Sequence, residues 1–174
     1  MADAIRLILT NVPAILFVAA LLIAWLSHTP ASGPERFLAW LLLLTVGVES
    51  LWAGVYHVFF PATAAAFIGW QVSPFQFEIG VADLAIGATA VVSFWRGLEF
   101  KSAVVCYTIL FYAGVAVGHV RQAWAAGDAA PGNFGLLLLM TLVKIVLLAG
   151  LLQAARRAGP LTRSVGPATA RGPG

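Results

Sequence analysis

Seven side chains with chemical potential stand in a chain otherwise built of lipid-soluble residues. His57, Glu78, His119 and Arg121 fall near the ends of apolar runs, whereas Glu49, Asp83 and Lys144 lie inside them. An ionisable group at membrane depth is costly unless paired or wetted, so each is a candidate for function. Two imidazoles and a carboxylate are suitable metal ligands, which makes His57, Glu78 and His119 the metal candidates, although no local spacing signature supports them. The same three, with Arg121, could line a pocket for a quinone-like head group, walled by Trp52, Phe60, Phe75 and Phe77. Glu49, Asp83 and Lys144 read as a buried polar cluster. One ammonium pairs with one of two carboxylates, and the other needs a proton or a water.

Each residue also has a plainer reading. Polar groups commonly glue bundle helices, so the Lys144 pair can be structural. Histidines at helix ends can simply face headgroups. Arg121 can bond the last carbonyls of its own helix. Tyr56, Tyr107 and Tyr112 fit core or interfacial positions as well as redox ones.

The elements that must hold these residues are helices. The chain has 174 residues, is 61% hydrophobic and only 10% charged, with a mean hydropathy of +0.94, which places it in the membrane class. Its net charge of +3 resides largely in Arg156, Arg157, Arg163 and Arg171, with no basic patch interleaved with aromatics, so no nucleic acid is expected. Cys106 is the single cysteine, and thiol chemistry has no second partner.

The fold expected is all-α, a polytopic transmembrane bundle of five spans at residues 4–26, 37–60, 77–95, 102–124 and 133–155. Breakers separate them: HTPASGPE, the long apolar connector FPATAAAFIGWQVSPFQ, RGLEFK and GDAAPGN. Within the second connector, residues 62–70 suggest a short interfacial or re-entrant helix with Trp70 at headgroup level. Residues 1–158 form a single transmembrane domain, and residues 159–174 read as a disordered cytoplasmic tail.

With five spans, Arg36, Arg96, Lys101 and the four tail arginines share one face, and only Arg6 and Arg121 the other. The positive-inside rule then puts the tail in the cytoplasm and the N-terminus outside. Cleavage of the first span as a signal peptide would reverse that arrangement, so an uncleaved span is expected. In this topology His57, Glu78, His119 and Arg121 lie at outer helix ends. Glu49 is eight residues before His57, roughly 12 Å deeper, and Lys144 lies at a comparable depth. Glu49, Ala53 and His57 share one stripe, as do Gly80, Asp83 and Gly87, while Gly114 and Gly118 make a GxxxG pair.

From His57 through Pro61, Ile68-Gly69-Trp70, Ser73-Pro74-Phe75-Gln76, Glu78-x-Gly80-x-Ala82 and Gly87, the chain resembles an uncharacterised family of small bacterial multi-pass membrane proteins of unknown function. Gly118-His119, Gly127-Asp128 and Pro131-Gly132-Asn133 extend that likeness, which spans roughly residues 49–151. It implies the bacterial inner membrane, a fold and candidate residues, but no activity. More remotely, a histidine at one helix end followed by a helix with a Glu and small residues is similar to the DoxX-like superfamily of four-helix membrane proteins. That likeness implies a redox-linked partner by analogy only. The extra first span and Lys144 depart from it.

Three functions fit. The first is a non-enzymatic accessory or assembly subunit of a membrane complex, in line with small size and the absence of nucleotide, haem or thiol motifs. A second is a binder of a small hydrophobic, quinone-like molecule or a metal in an outward His/Glu pocket. The third is a proton-coupled carrier through Glu49, Asp83 and Lys144, which the lack of an evident inverted repeat disfavours. No P-loop, GxSxG, HExxH or dinucleotide fingerprint argues for an enzyme, and no cofactor is assignable.

Overall fold

A computed structural model describes residues 11–29, 31–130 and 132–158. Six helices make up these residues: α1 (Val12–Leu26), α2 (Gly33–Phe59), α3 (Pro61–Ile68), α4 (Phe75–Ser93), α5 (Leu98–Ala126) and α6 (Leu136–Ala158). Four of them, α2, α4, α5 and α6, are long and apolar enough to cross a membrane. At 15 residues, α1 is about 22 Å long and shorter than a span. Residues 4–10 of the expected first span, and the expected tail at 159–174, lie outside the described residues.

Local chemistry sets the boundaries. The Ser32 side chain accepts from the Glu35 backbone N–H at the start of α2, and Pro34 occupies the first turn, where its missing N–H costs nothing. The helix stops at Phe60 because Pro61 follows. Pro61 then opens α3, which ends at Gly69 with φ +77°. Here the Trp70 N–H reaches the Ala65 carbonyl at 2.9 Å and the Gly69 N–H the Ala66 carbonyl at 3.4 Å, a Schellman closure that needs a left-handed residue. The eight residues of α3 fill the apolar connector, and Gln76 Nε2 donates to the Pro61 carbonyl at 2.7 Å, tying the start of α4 to the start of α3.

Within α2, Leu42–Val48 winds as a π-helix, wider than the α-helix on either side. The Thr45 hydroxyl donates to the Leu41 carbonyl at 2.8 Å inside this turn. Glu49 is the first residue beyond it.

The helices α2 and α4 run antiparallel and share the most extensive packing among the described residues. Glycines let the backbones touch: a Cβ on Gly54 would sit 2.8 Å from the Gly80 carbonyl, and one on Gly87 2.8 Å from the Gly47 carbonyl. On its other side the first half of α2 packs against α6, which in turn packs against α5, and α5 closes back onto α4. A four-helix core results, with α1 laid against α2 from outside. Its apolar centre includes Leu38, Leu42, Val46, Ile86, Val105 and Leu148. Valines, leucines and aromatics such as Val81, Leu110, Val117 and Val146 point outward, as a lipid solvent allows. At the end where α2 and α5 begin, buried Lys101 donates to the Arg96 carbonyl and pairs with Glu35 at 3.4 Å.

Candidate functional site

The core of the bundle holds a polar group assembled from four helices. Lys144 sits on α6 and is only 3% exposed. Its Nζ donates to Glu49 Oε1 on α2 at 2.6 Å and lies 4.9 Å from the ring centroid of Tyr112 on α5. Carboxylate and aromatic face together replace the water a buried ammonium has lost. Buried Ser50, next to Glu49 in the chain, neighbours the Tyr112 hydroxyl.

Asp83 comes from α4, with Gly80 one turn before it and Gly87 one turn after. Because both glycines press on α2, Asp83 is carried against the Glu49 side of that helix, within electrostatic reach of Glu49 and Tyr112. Asp83 is buried and makes no hydrogen bond or ion pair among the described residues. Glu49 Oε2 is likewise buried without a partner. The group therefore contains two carboxylates and one ammonium.

A second polar group closes the end of the bundle where α5 gives way to α6. Asn133 is fully buried and uses its whole amide. Its Oδ1 accepts from His119 at 2.6 Å and from Trp70 Nε1 at 3.2 Å; its Nδ2 donates to the Asp128 carbonyl at 2.8 Å and the His119 carbonyl at 3.3 Å. Since Oδ1 can only accept, His119 carries its proton on Nδ1. The indole of Trp70 also lies 5.5 Å from the imidazole of His119, centroid to centroid. Two glycines let the segments meet: a Cβ on Gly69 would strike Asp128, and one on Gly132 the Phe67 carbonyl. This is a latch that fastens α3 and the 127–135 connector to the end of α5.

His57 stands apart from the latch. It is half-buried, its Nδ1 is buried without a partner, and it lines a cleft of about 120 Å³ with Trp70, Gln71, Ser73, Phe75 and Gln76. Trp70 thus touches both the cleft of His57 and the ring of His119. Glu78 and Arg121 are exposed and enter neither group. Among the described residues no three His, Cys, Asp or Glu side chains gather closely enough to hold a metal ion, so His57, Glu78 and His119 do not form a ligand set. Glu49 and Lys144 are brought into contact, with Asp83 beside them; His57, Glu78, His119 and Arg121 are not brought together.

A family model matches residues 10–160, most of the chain. The protein belongs to DUF6790, a family of unknown function. No curated protein and no solved structure matches it.

In this DUF6790 protein three participants do not show their roles in the sequence. Asn133 looks like one polar residue of a turn, yet it is the hub of the latch. Trp70 reads as an interfacial aromatic, although its N–H is spent inward. Tyr112 looks like a core aromatic, and only its heptad spacing from His119 hints at the inner face of α5. A buried amide has no spacing rule of its own, so the signal for Asn133 was only its place in a Pro-Gly-Asn turn before an apolar helix.

Proposed function

We propose that this DUF6790 protein is a multi-pass protein of the bacterial inner membrane, with α1 part of a fifth span, the N-terminus outside and the C-terminal tail in the cytoplasm. On this reading it serves as a non-enzymatic accessory or assembly subunit that packs beside a larger membrane protein. The observation that carries the reading is a contrast among glycines. Gly47, Gly54, Gly80 and Gly87 each press on a neighbouring helix, whereas Gly114 and Gly118 on α5 have nothing among the described residues within 4 Å of where a Cβ would be. A glycine inside a helix is less stable than alanine by about 0.5–1 kcal/mol. Two of them at helical spacing on an outer face fit a surface kept flat for another helix. Pull-down of the tagged full chain in mild detergent should recover a stoichiometric membrane partner, and Gly114→Leu should abolish that recovery without unfolding the chain. Recovery of homo-oligomers alone in every preparation would remove the reading.

The cleft beside His57 favours a second reading, a binder of a lipid-soluble ring such as a quinone head group. An apolar cavity of about 150 Å³ accommodates a benzene-sized molecule, so one of about 120 Å³ open at its mouth suits a single ring. Trp70 and Phe75 would wall that ring, and His57, Gln71 and Ser73 would meet its oxygens. Mass spectrometry of lipid extracts from the purified protein, parent against His57→Ala, tests it; no ring lipid enriched in the parent would end it. The remote DoxX-like likeness agrees with this second reading by analogy alone.

A further inference from the structure

We propose that Asp83 is a reversible proton-binding site at the centre of the bundle, with Lys144 as the fixed countercharge of Glu49. The proposal stands independently of the accessory reading, since it concerns the inside of the bundle and not its outer face.

The argument begins with a count of charge. Facing one another across the core are Glu49 from α2, Asp83 from α4, Tyr112 from α5 and Lys144 from α6. The remaining titratable groups are engaged or directed elsewhere. His57, two turns further along α2, lines the cleft; His119 on α5 is held by Asn133; and Lys101 is paired with Glu35 at the opposite end. Two ionised carboxylates against one ammonium would leave a net negative charge inside hydrocarbon, which costs several kcal/mol whatever the fold around it. One proton removes that cost.

Geometry says which carboxylate takes it. Glu49 Oε1 receives the Lys144 ammonium at 2.6 Å, the contact expected of an ionised pair. Among the described residues Asp83 has no cation and no hydrogen bond, although it is only 9% exposed. A buried carboxylate in that position is the one that stays neutral. The small accessible surface that Asp83 retains gives its proton a way to exchange. On release the Asp83 O–H bond breaks, its electron pair remains on the carboxylate, and the proton passes to a water molecule. The cluster then moves from neutral to a single negative charge. Because the glycine contacts hold α2 and α4 together, that charge appears beside Glu49 and competes with it for Lys144.

The test is infrared difference spectroscopy of the full chain in lipid nanodiscs, comparing neutral with alkaline buffer at fixed salt. The parent should show one protonated carboxyl per chain that is lost at alkaline pH. Asp83→Asn should abolish the band and Asp83→Glu restore it, while Glu78→Gln leaves it intact. Glu49→Gln, which leaves one carboxylate for one ammonium, should abolish it at neutral pH. Absence of the band in the parent overturns the proposal without recourse to any variant, as does its persistence in Asp83→Asn. A carboxylate that stays ionised throughout while sodium, at constant pH, raises thermal stability would overturn it in favour of a metal cation.

Discussion

Lys144 and Glu49, 95 residues apart in the chain, meet at 2.6 Å in the middle of the bundle. Neither helix alone can keep such a charge away from water, so the contact requires α2 and α6 to be docked. Lys144→Met should therefore cost about 3–5 kcal/mol, because it strips Glu49 of its cation inside the core. Combining it with Glu49→Gln should recover most of that loss. Glu49→Gln alone should be milder, since Asp83 stands ready as an alternative anion. Thermal unfolding of the four proteins in one detergent checks the ordering; equal losses in both single variants would contradict it.

The inner and outer glycines should respond with opposite sign to the same change. A Cβ on Gly80 would lie 2.7 Å from Val58 Cγ2 and 2.9 Å from His57 Cβ, so Gly80→Ala should destabilise by about 1–3 kcal/mol. At Gly114 nothing among the described residues lies within 4 Å of where a Cβ would be, and Gly114→Ala should be neutral or stabilise by about 0.5–1 kcal/mol. Paired melting curves of the two variants decide the matter.

Asn133→Leu should loosen one end of the molecule and spare its centre. The change orphans the Trp70 N–H, the His119 ring and the Asp128 carbonyl, and takes a second donor from the His119 carbonyl, which keeps its place in α5. Each group that stays buried and unpaired costs about 1–3 kcal/mol. Amide hydrogen exchange should accelerate across α3 and the 127–135 connector, with residues around Lys144 unchanged. Acceleration spread evenly over all helices would mean that Asn133 supports the whole fold.

Gly69→Ala should be worse than Gly127→Ala, although both positions have left-handed backbones, with φ +77° and +64°. The strain of a side chain there, about 1–2 kcal/mol, is common to both. Only at Gly69 would the new methyl group also meet the Asp128 carboxylate, at 2.7 Å. Melting temperatures of the two variants, measured side by side, test the difference.

Much of the architecture could be read from hydropathy alone. The four long helices cover the stretches from residues 37, 77, 102 and 133, with ends shifted by a few residues. Those shifts have local causes: Ser32 and Pro34 start α2 four residues before the apolar run, and the latch holds Asn133 outside α6. The meeting of Glu49 with Lys144 was approachable by counting depth at 1.5 Å per residue, because both residues sit deep in their spans. The helix ends around His57 were less readable. Depth alone places His57, Glu78 and His119 at one level, yet azimuth around each helix sends Glu78 outward and His119 inward. Azimuth depends on how helices pack, and the π turn of α2 alters it in a way that hydrophobic patterning does not register.

That wide turn acts on the molecule as a slipped tooth acts on a gear. Leu42–Val48 ends where Glu49 begins, so the pitch of this one coil sets the direction of everything beyond it on α2. Rewinding the same residues at ordinary α-helical pitch, with none removed, would swing the rest of the helix by about 100°. Glu49 would swing away from α6, the glycine seam with α4 would open, and His57 would quit its cleft. Three distant features are thus timed by a single coil with no charged residue of its own.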